Sequence, residues 1–209
     1  MRRVVILGLA LAALAPALPA AARYGADPDW PCQSIKVADL SLGTMWTGPS
    51  VDAYAQTWQQ DPQVATLAQR LVQRRLPVAE ATAEVKQFAA GLGADRATKL
   101  EKLMAGVFDL MDTERRAVVD GLDRFGRRQK ELAVSLRTEA SAVNTETLAP
   151  SADATKISSA MQRLEWDRRV FDARRQSIEY ACAVPSVIEQ RLYALAQAIQ
   201  AELPAPAAK

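Results

Sequence analysis

The sequence predicts an all-α protein built around one long antiparallel coiled-coil helical hairpin, with short N-terminal helices and an extended N-terminal strap. Residues 94–148 contain no proline, which permits one uninterrupted helix of that length. Apolar residues recur every seven positions both before and after Pro150, as in two helices that pack along a common seam. The chain therefore reverses direction at Ala149-Pro150-Ser151.

The seven-residue repeat also predicts which residues face each other. In a hairpin folded about Pro150, paired residue numbers sum to about 300, so Leu136 faces Leu164 and Val143 faces Ile157. The outgoing seam consists of Met104, Met111, Val118, Phe125 and Leu132 with Phe108, Leu122, Leu136 and Val143, and the return seam of Ile157, Leu164, Phe171 and Ile178 with Met161, Arg168, Arg175 and Cys182.

Residues 1–22 have the pattern of a cleavable signal peptide. Arg2 and Arg3 precede an apolar run over 4–14, which is shorter than the roughly 20 residues that cross a bilayer. Small residues follow, and we expect cleavage after Ala22; a retained membrane anchor is the alternative. The predicted location is the periplasm, with no retained membrane span.

Composition excludes several classes of function. The chain has no histidine, which removes His-based catalytic triads and the imidazole ligands of most transition-metal sites. Loss of Arg2 and Arg3 leaves 24 basic against 24 acidic residues, so the mature chain lacks the positive excess that nucleic-acid binding needs. We expect no enzyme activity, no cofactor, no metal site and no nucleic-acid partner.

The two cysteines, Cys32 and Cys182, are expected to form a disulfide in the exported protein. Oxidising compartments favour such bonds, and catalytic dithiols usually lie as C-x-x-C rather than far apart. By the hairpin register Cys182 lies near Val118, so the bond would tie the strap to the base of the hairpin.

The mature chain is expected to form a single helical domain over residues 23–203. Residues 23–50 form the strap, 50–93 the short helices and 94–203 the hairpin region, and 204–209 a frayed tail. Asp61-Pro62 is a helix start, and a second short helix spans about 78–90. Ser50 can cap a short helix that runs through Trp58. The return helix, 152–184, should end before Pro185, and a final helix should span 186–203.

Arginine is the most distinctive polar residue of the hairpin and predicts a contact surface on its distal half. Arginine and tryptophan contribute much of the binding energy at many interfaces. Guanidinium groups also bind carboxylates and phosphates through paired hydrogen bonds. The alternative is that these arginines pair with acids of the opposite helix. The predicted partner-binding residues are Arg127, Arg128, Trp166, Arg168, Arg169, Arg174 and Arg175.

Two further groups of residues leave alternatives open. The carboxylates Asp109, Asp112, Glu114, Asp120 and Asp123 either bind a cation or pair with neighbouring arginines. The aromatic residues Trp30, Trp46, Tyr54 and Trp58 either line a pocket or anchor the strap in the core.

The segments Asp29-Trp30-Pro31-Cys32 and Met45-Trp46-Thr47-Gly48-Pro49, with Glu114-Arg115-Arg116, resemble a group of uncharacterised secreted all-helical proteins of Gram-negative bacteria. This resemblance implies export but no activity. The architecture is more loosely similar to all-helical periplasmic stress chaperones, whose LTxxQ motif is absent, and to the hairpins of trimeric periplasmic holdases and efflux adaptors, whose β-rich parts are absent.

We therefore expect a non-enzymatic periplasmic interaction protein, such as an assembly factor, an adaptor or a chaperone-like helical hairpin. Its partner would be an envelope protein or a second copy of the same chain. The alternative is a periplasmic protein that binds a small molecule or a metal.

Overall fold

The computed structural model describes residues 27–204, and over that range the fold is all-helical with no strand. Four α-helices follow three single 3₁₀ turns at Leu42–Thr44, Asp52–Tyr54 and Trp58–Gln60. The helices are α1 (Pro62–Leu71), α2 (Val78–Ala90), α3 (Arg96–Thr147) and α4 (Ala154–Ala201). The predicted signal peptide, its cleavage site and tail residues 205–209 lie outside the described residues.

The long hairpin is confirmed: α3 and α4 pack against each other along the seam. The 52 residues of α3 correspond to about 80 Å of helix. The side chain of Asp153 caps α4 by accepting hydrogen bonds from the backbone N–H groups of Thr155 and Lys156 at 2.9 and 3.2 Å. The Gln129 side chain donates to the Phe171 carbonyl oxygen at 3.3 Å, in agreement with the predicted register.

The short helices begin where capping chemistry predicts. Asp61 accepts hydrogen bonds from the backbone N–H groups of Gln63 and Val64, and Pro62 occupies the first helical position. Residues 50–58, by contrast, form 3₁₀ turns rather than the predicted helix. The hydroxyl of Ser50 donates to the Asp52 carboxylate and accepts a hydrogen bond from the Asp52 backbone N–H at 3.3 Å, so Ser50 binds the first residue of a 3₁₀ turn rather than capping an α-helix.

The prediction that Pro185 ends the return helix is wrong, because α4 continues through it to Ala201. A proline inside a helix costs one backbone hydrogen bond and crowds the preceding turn. Pro185 is nevertheless buried, and the next two turns bury Ile188 and Leu192 in the core. Packing at the base of the hairpin thus outweighs the local preference to break.

The hydrophobic core lies at the base of the hairpin, where α1 packs on α3 and α2 packs on α4. Trp58 is 2% exposed there, and its ring lies against Gly106 of α3. A Cβ atom at Gly106 would lie 2.8 Å from that ring, so only glycine leaves room for the indole. Other core members are Trp46, Val64, Leu71, Val85, Leu100, Met104, Leu192 and Ile199.

The strap lies along the hairpin, and the predicted disulfide between Cys32 and Cys182 is confirmed. The backbone of the strap also contacts α3 at Gly126. A Cβ atom at Gly126 would overlap the carbonyl oxygen of Asp29 and lie 3.0 Å from its carbonyl carbon. Gly126 therefore allows the strap to approach α3 closely.

Replacing Gly126 with alanine should lift the strap from α3 and lower the free energy of unfolding by about 2 kcal/mol, because the strap backbone must move away to make room for the added methyl group. Gly121→Ala is the matched control, since the added Cβ atom would meet nothing closer than 3.8 Å. This substitution should stabilise α3 by about 1 kcal/mol, because alanine has the higher helix propensity. Urea denaturation of both variants measures the difference. Equal stabilisation by the two alanines would contradict the close contact.

Candidate functional site

The distal part of the hairpin, residues 127–184, contains no fully buried residue, and the strap reaches only its lower end, at Arg127, Lys130 and Cys182. Most of its seam positions are nevertheless apolar. At the base, the same two helices are covered by α1, α2 and the strap. The distal hairpin therefore has an apolar seam without the additional layer that the base has.

This exposed seam forms a groove of about 770 Å³ between α3 and α4, which we call the distal groove. Small and large apolar side chains line it: Ala133, Leu136, Ala140, Val143, Met161, Leu164 and Phe171. Met161 is 55% exposed, an unusual degree for a seam residue. Contact of such an apolar surface with water is unfavourable, and covering it with another apolar surface lowers the free energy.

The rim of the distal groove carries both signs of charge. Arg137, Glu165, Arg168 and Asp172 lie around it. The Nε–H of Arg137 donates to the Ala133 carbonyl oxygen one turn earlier, and Asp172 lies 3.9 Å from the guanidinium group of Arg175. An occupant of the groove would therefore meet acidic and basic groups on its flanks.

Trp166 projects away from the groove, as its position relative to Leu164 predicts, and is 61% exposed. The guanidinium group of Arg169 lies 5.8 Å from the centroid of its ring, and the same group pairs with Glu165 at 2.8 Å. This is a local cation–π and ion-pair cluster on the outer side of α4.

The predicted partner-binding residues do not share one surface. Arg168 alone lines the distal groove, while Arg128 and Arg174 line a separate cleft lower on the hairpin. Arg127 lies 3.7 Å from the Asp29 carboxylate of the strap. Neighbouring residues of a helix are about 100° apart, so the two members of an arginine doublet point in different directions.

Two small residues that line the groove, Ala133 and Ala140, are not among the predicted site residues. Ala133 follows the seam residue Leu132 and Ala140 lies seven positions later, so the spacing of two alanines beside the seam was the available signal. The seam residues themselves were recognised, but their exposure depends on which other elements reach the distal hairpin.

Four of the five carboxylates singled out in α3, all except Asp120, are engaged by the chain itself. Asp109 accepts a hydrogen bond from the Trp58 indole N–H at 3.1 Å, Asp112 pairs with Arg116, and Glu114 pairs with Arg74. Within residues 27–204 no group of three or more metal-ligating side chains converges. Trp46 and Trp58 lie in the core, which supports the anchoring role of these aromatic residues.

Two buried arginines attach neighbouring segments to the base of the hairpin. Arg115 pairs with Glu189 at 2.6 Å and donates to the carbonyl oxygens of Val37 and Ala38 in the strap. Arg191 donates to the carbonyl oxygens of Leu71 and Leu76 after α1. Burial lowers the pKa of Arg191 from its ordinary value, and the carbonyl oxygens replace part of the lost hydration.

Lys36 holds the strap against α3 by bridging two carboxylates. Its ammonium group lies 2.6 Å from Asp27 and 2.5 Å from Asp123. The hydrogen bond to Asp123, followed by that to Asp27, raises the pKa of Lys36. The hydrogen bond from Lys36 is the main reason that the pKa of Asp27 is lowered.

Gln129 is the polar interruption of the apolar seam. Its amide N–H donates to the Phe171 carbonyl oxygen, but its own side-chain oxygen is buried without a hydrogen-bond donor. A buried acceptor without a donor lowers the stability of the folded state. A single polar residue in an apolar seam can nevertheless favour one register of the two helices over others.

Comparison of the chain with protein-family models, with curated proteins and with solved structures finds no match. Over the described range, none of the helices combines the length and the apolar character needed to cross a bilayer. The class defined by fold and site is thus an all-helical, disulfide-linked hairpin with an open distal groove.

Asp27→Asn should destabilise the protein at neutral pH but not in acid. The folded-state pKa of Asp27 lies below 3.8, so its contribution is present above that value and is lost as pH falls through the folded pKa. Urea midpoints measured from pH 7 down to about pH 3 should converge for wild type and variant. Asp39→Asn, also in the strap but without an ion-pair partner among residues 27–204, should leave the urea midpoint at pH 7 unchanged; a gap for Asp27→Asn that stays constant with pH would contradict the ion pair.

Gln129→Met should raise the free energy of unfolding by about 1 kcal/mol, because it removes a buried acceptor that lacks a donor from an apolar seam. The Phe171 carbonyl can still accept its own helical hydrogen bond. Thermal denaturation checks this, with the exposed Gln162→Met as the control. A loss of stability specific to Gln129→Met would show that the amide contributes more than it costs.

Proposed function

We propose that this protein is a non-enzymatic periplasmic interaction protein whose distal groove docks an amphipathic helix of an envelope protein. The single observation that carries the proposal is the exposed apolar seam of residues 127–184. An assembly factor, adaptor or chaperone needs such an extended face rather than a polar catalytic constellation.

A helix is the occupant that best matches the geometry of the base. There, α1 packs on α3 and α2 packs on α4, so helices already cover this pair of helices. A partner helix in the distal groove would continue the same layer outward along the same seam. Ala133 and Ala140 have short side chains, which let a helix approach closely.

The chemistry of the groove describes the partner helix. Its central stripe should be apolar, because Leu136, Met161 and Leu164 lie along the groove. Its flanks should carry both acidic and basic residues, because Arg137 and Arg168 alternate with Glu165 and Asp172 around the rim. This composition is that of an ordinary amphipathic helix rather than a strongly charged segment.

Export to the periplasm is supported by independent features. The Cys32–Cys182 disulfide is typical of oxidising compartments, and residues 1–22 have the pattern of a signal peptide. The resemblance of the Asp29-Trp30-Pro31-Cys32 segment to secreted proteins of Gram-negative bacteria points the same way.

Site-specific photo-crosslinking of the exported full-length chain tests the proposal. A photoreactive residue replaces Ala140, which lines the groove, or Thr138, which is exposed but does not line it. We expect Ala140 to form an adduct with one envelope protein, mapped to the apolar face of a helical segment. Thr138 should give that adduct only weakly or not at all, because crosslinking requires the photoreactive group to lie close to the partner and Thr138 does not line the groove.

A second substitution shows whether the groove itself is responsible. Met161→Arg places a charge in the groove and should abolish the adduct, while Gln162→Arg, the next and exposed residue, should leave it intact. Equal adducts from Ala140 and Thr138, or no adduct, would contradict the proposal. An adduct with a second copy of the chain would replace the envelope partner by a homodimer.

A further inference from the structure

We propose that a second site, a cleft between α3 and α4 below the distal groove, binds a phosphate group. We call it the arginine cleft; its volume is about 340 Å³, and Gly121, Arg124, Phe125, Arg128, Gln129 and Arg174 line it. The proposal goes beyond the docking role of the distal groove and does not depend on it.

The cleft concentrates positive charge that the described chain does not neutralise. None of the guanidinium groups of Arg124, Arg128 and Arg174 has a carboxylate oxygen within 4.0 Å among residues 27–204. Arg127 and Arg169, by contrast, pair with Asp29 and Glu165. Arg137 and Arg168 also lack an ion-pair partner among the described residues, but the groove that they line carries the carboxylates of Glu165 and Asp172 as well. Three unpaired like charges around one cleft repel each other, and a bound anion would remove that cost.

The three arginines surround the cleft from two helices. Arg124 and Arg128 are one turn apart on α3, and Arg174 comes from α4. Gly121 provides no side chain to fill the space beside them. One terminal nitrogen of Arg124 lies 3.8 Å from the position that a Cβ atom at Gly121 would take, so this guanidinium group folds back over the glycine.

The number of donors favours a phosphate group over a carboxylate. One guanidinium group already saturates a carboxylate through two parallel hydrogen bonds. A phosphate monoester offers three terminal oxygens and carries a charge of about −1.5 to −2 at neutral pH, which matches three arginines better. The Phe125 ring supplies an apolar wall for the organic group that carries the phosphate.

The cleft and the strap lie on different sides of α3. The strap contacts Gly126, and Gly126 is two positions, or about 200° around the helix, from both Arg124 and Arg128. Binding of a phosphate in the cleft is therefore compatible with the strap in place and with an occupied distal groove. The phosphate could belong to a soluble phosphomonoester or to a phospholipid headgroup.

Isothermal titration calorimetry with glycerol 3-phosphate at constant ionic strength tests the site in the mature protein. Co-sedimentation with phosphatidylcholine vesicles, with and without phosphatidic acid, tests the lipid form of the same group. We expect saturable binding in at least one arm. Binding of the soluble ester alone indicates a soluble ligand, and binding that needs phosphatidic acid indicates a lipid headgroup; both outcomes support the site.

The double variant Arg128→Gln with Arg174→Gln should lower the affinity at least tenfold, which corresponds to the loss of about 1.4 kcal/mol. The charge-matched control is Arg75→Gln with Arg163→Gln, two arginines outside the cleft, and it should change affinity less than about twofold. Absence of saturable binding in both arms, or an equal loss in the control, would overturn the proposal.

Thermal denaturation without ligand separates a binding role from a structural one. Removing two charges from a like-charge cluster should leave the melting temperature unchanged or raised. If the double variant melts earlier, the single variant Arg124→Gln serves instead, and it should lose affinity at least about threefold without loss of stability. Unchanged affinity in this variant would overturn the proposal.

Discussion

The whole structure depends on one constraint: a seam between two helices can be buried completely only where other elements cover it. Two paired helices protect a single stripe on each, and the edges of that stripe remain in contact with water. At the base, α1, α2 and the strap provide the cover, and residues such as Met104 and Leu192 are fully buried. The strap reaches α3 as far as Lys130 and α4 at Cys182, and beyond these points no described element provides such cover.

This division separates the stabilising contacts of the hairpin from the groove to which we assign the docking role. The base carries the core and the buried arginines Arg115 and Arg191, each of which donates to backbone carbonyls of another segment. The disulfide joins the strap to the hairpin at Cys182, at the boundary between the base and the distal part. The distal part contributes little buried surface and retains its apolar groove. A partner that covers the groove would gain hydrophobic free energy there without altering the packing of the base.

Arginine serves three physical roles in the same molecule. Buried guanidinium groups at the base link segments, because their planar forks can satisfy several carbonyl oxygens at once. Exposed ones such as Arg169 form local ion pairs, which contribute little to stability. Those of the arginine cleft have no carboxylate within 4.0 Å among the described residues and converge on one cleft, and this combination, rather than abundance, distinguishes them.

By itself the sequence determined the features that depend on local chemistry and on periodicity. The seam register, the Asp61-Pro62 helix start, the reversal at Pro150 and the Cys32–Cys182 pair all followed from spacing and residue type. Only the tertiary structure decided that α4 continues through Pro185, since burial of the next two turns compensates for the lost hydrogen bond. It also decided the candidate sites. The direction of each arginine depends on helical phase, and the exposure of a seam residue depends on how far distant segments extend along the hairpin.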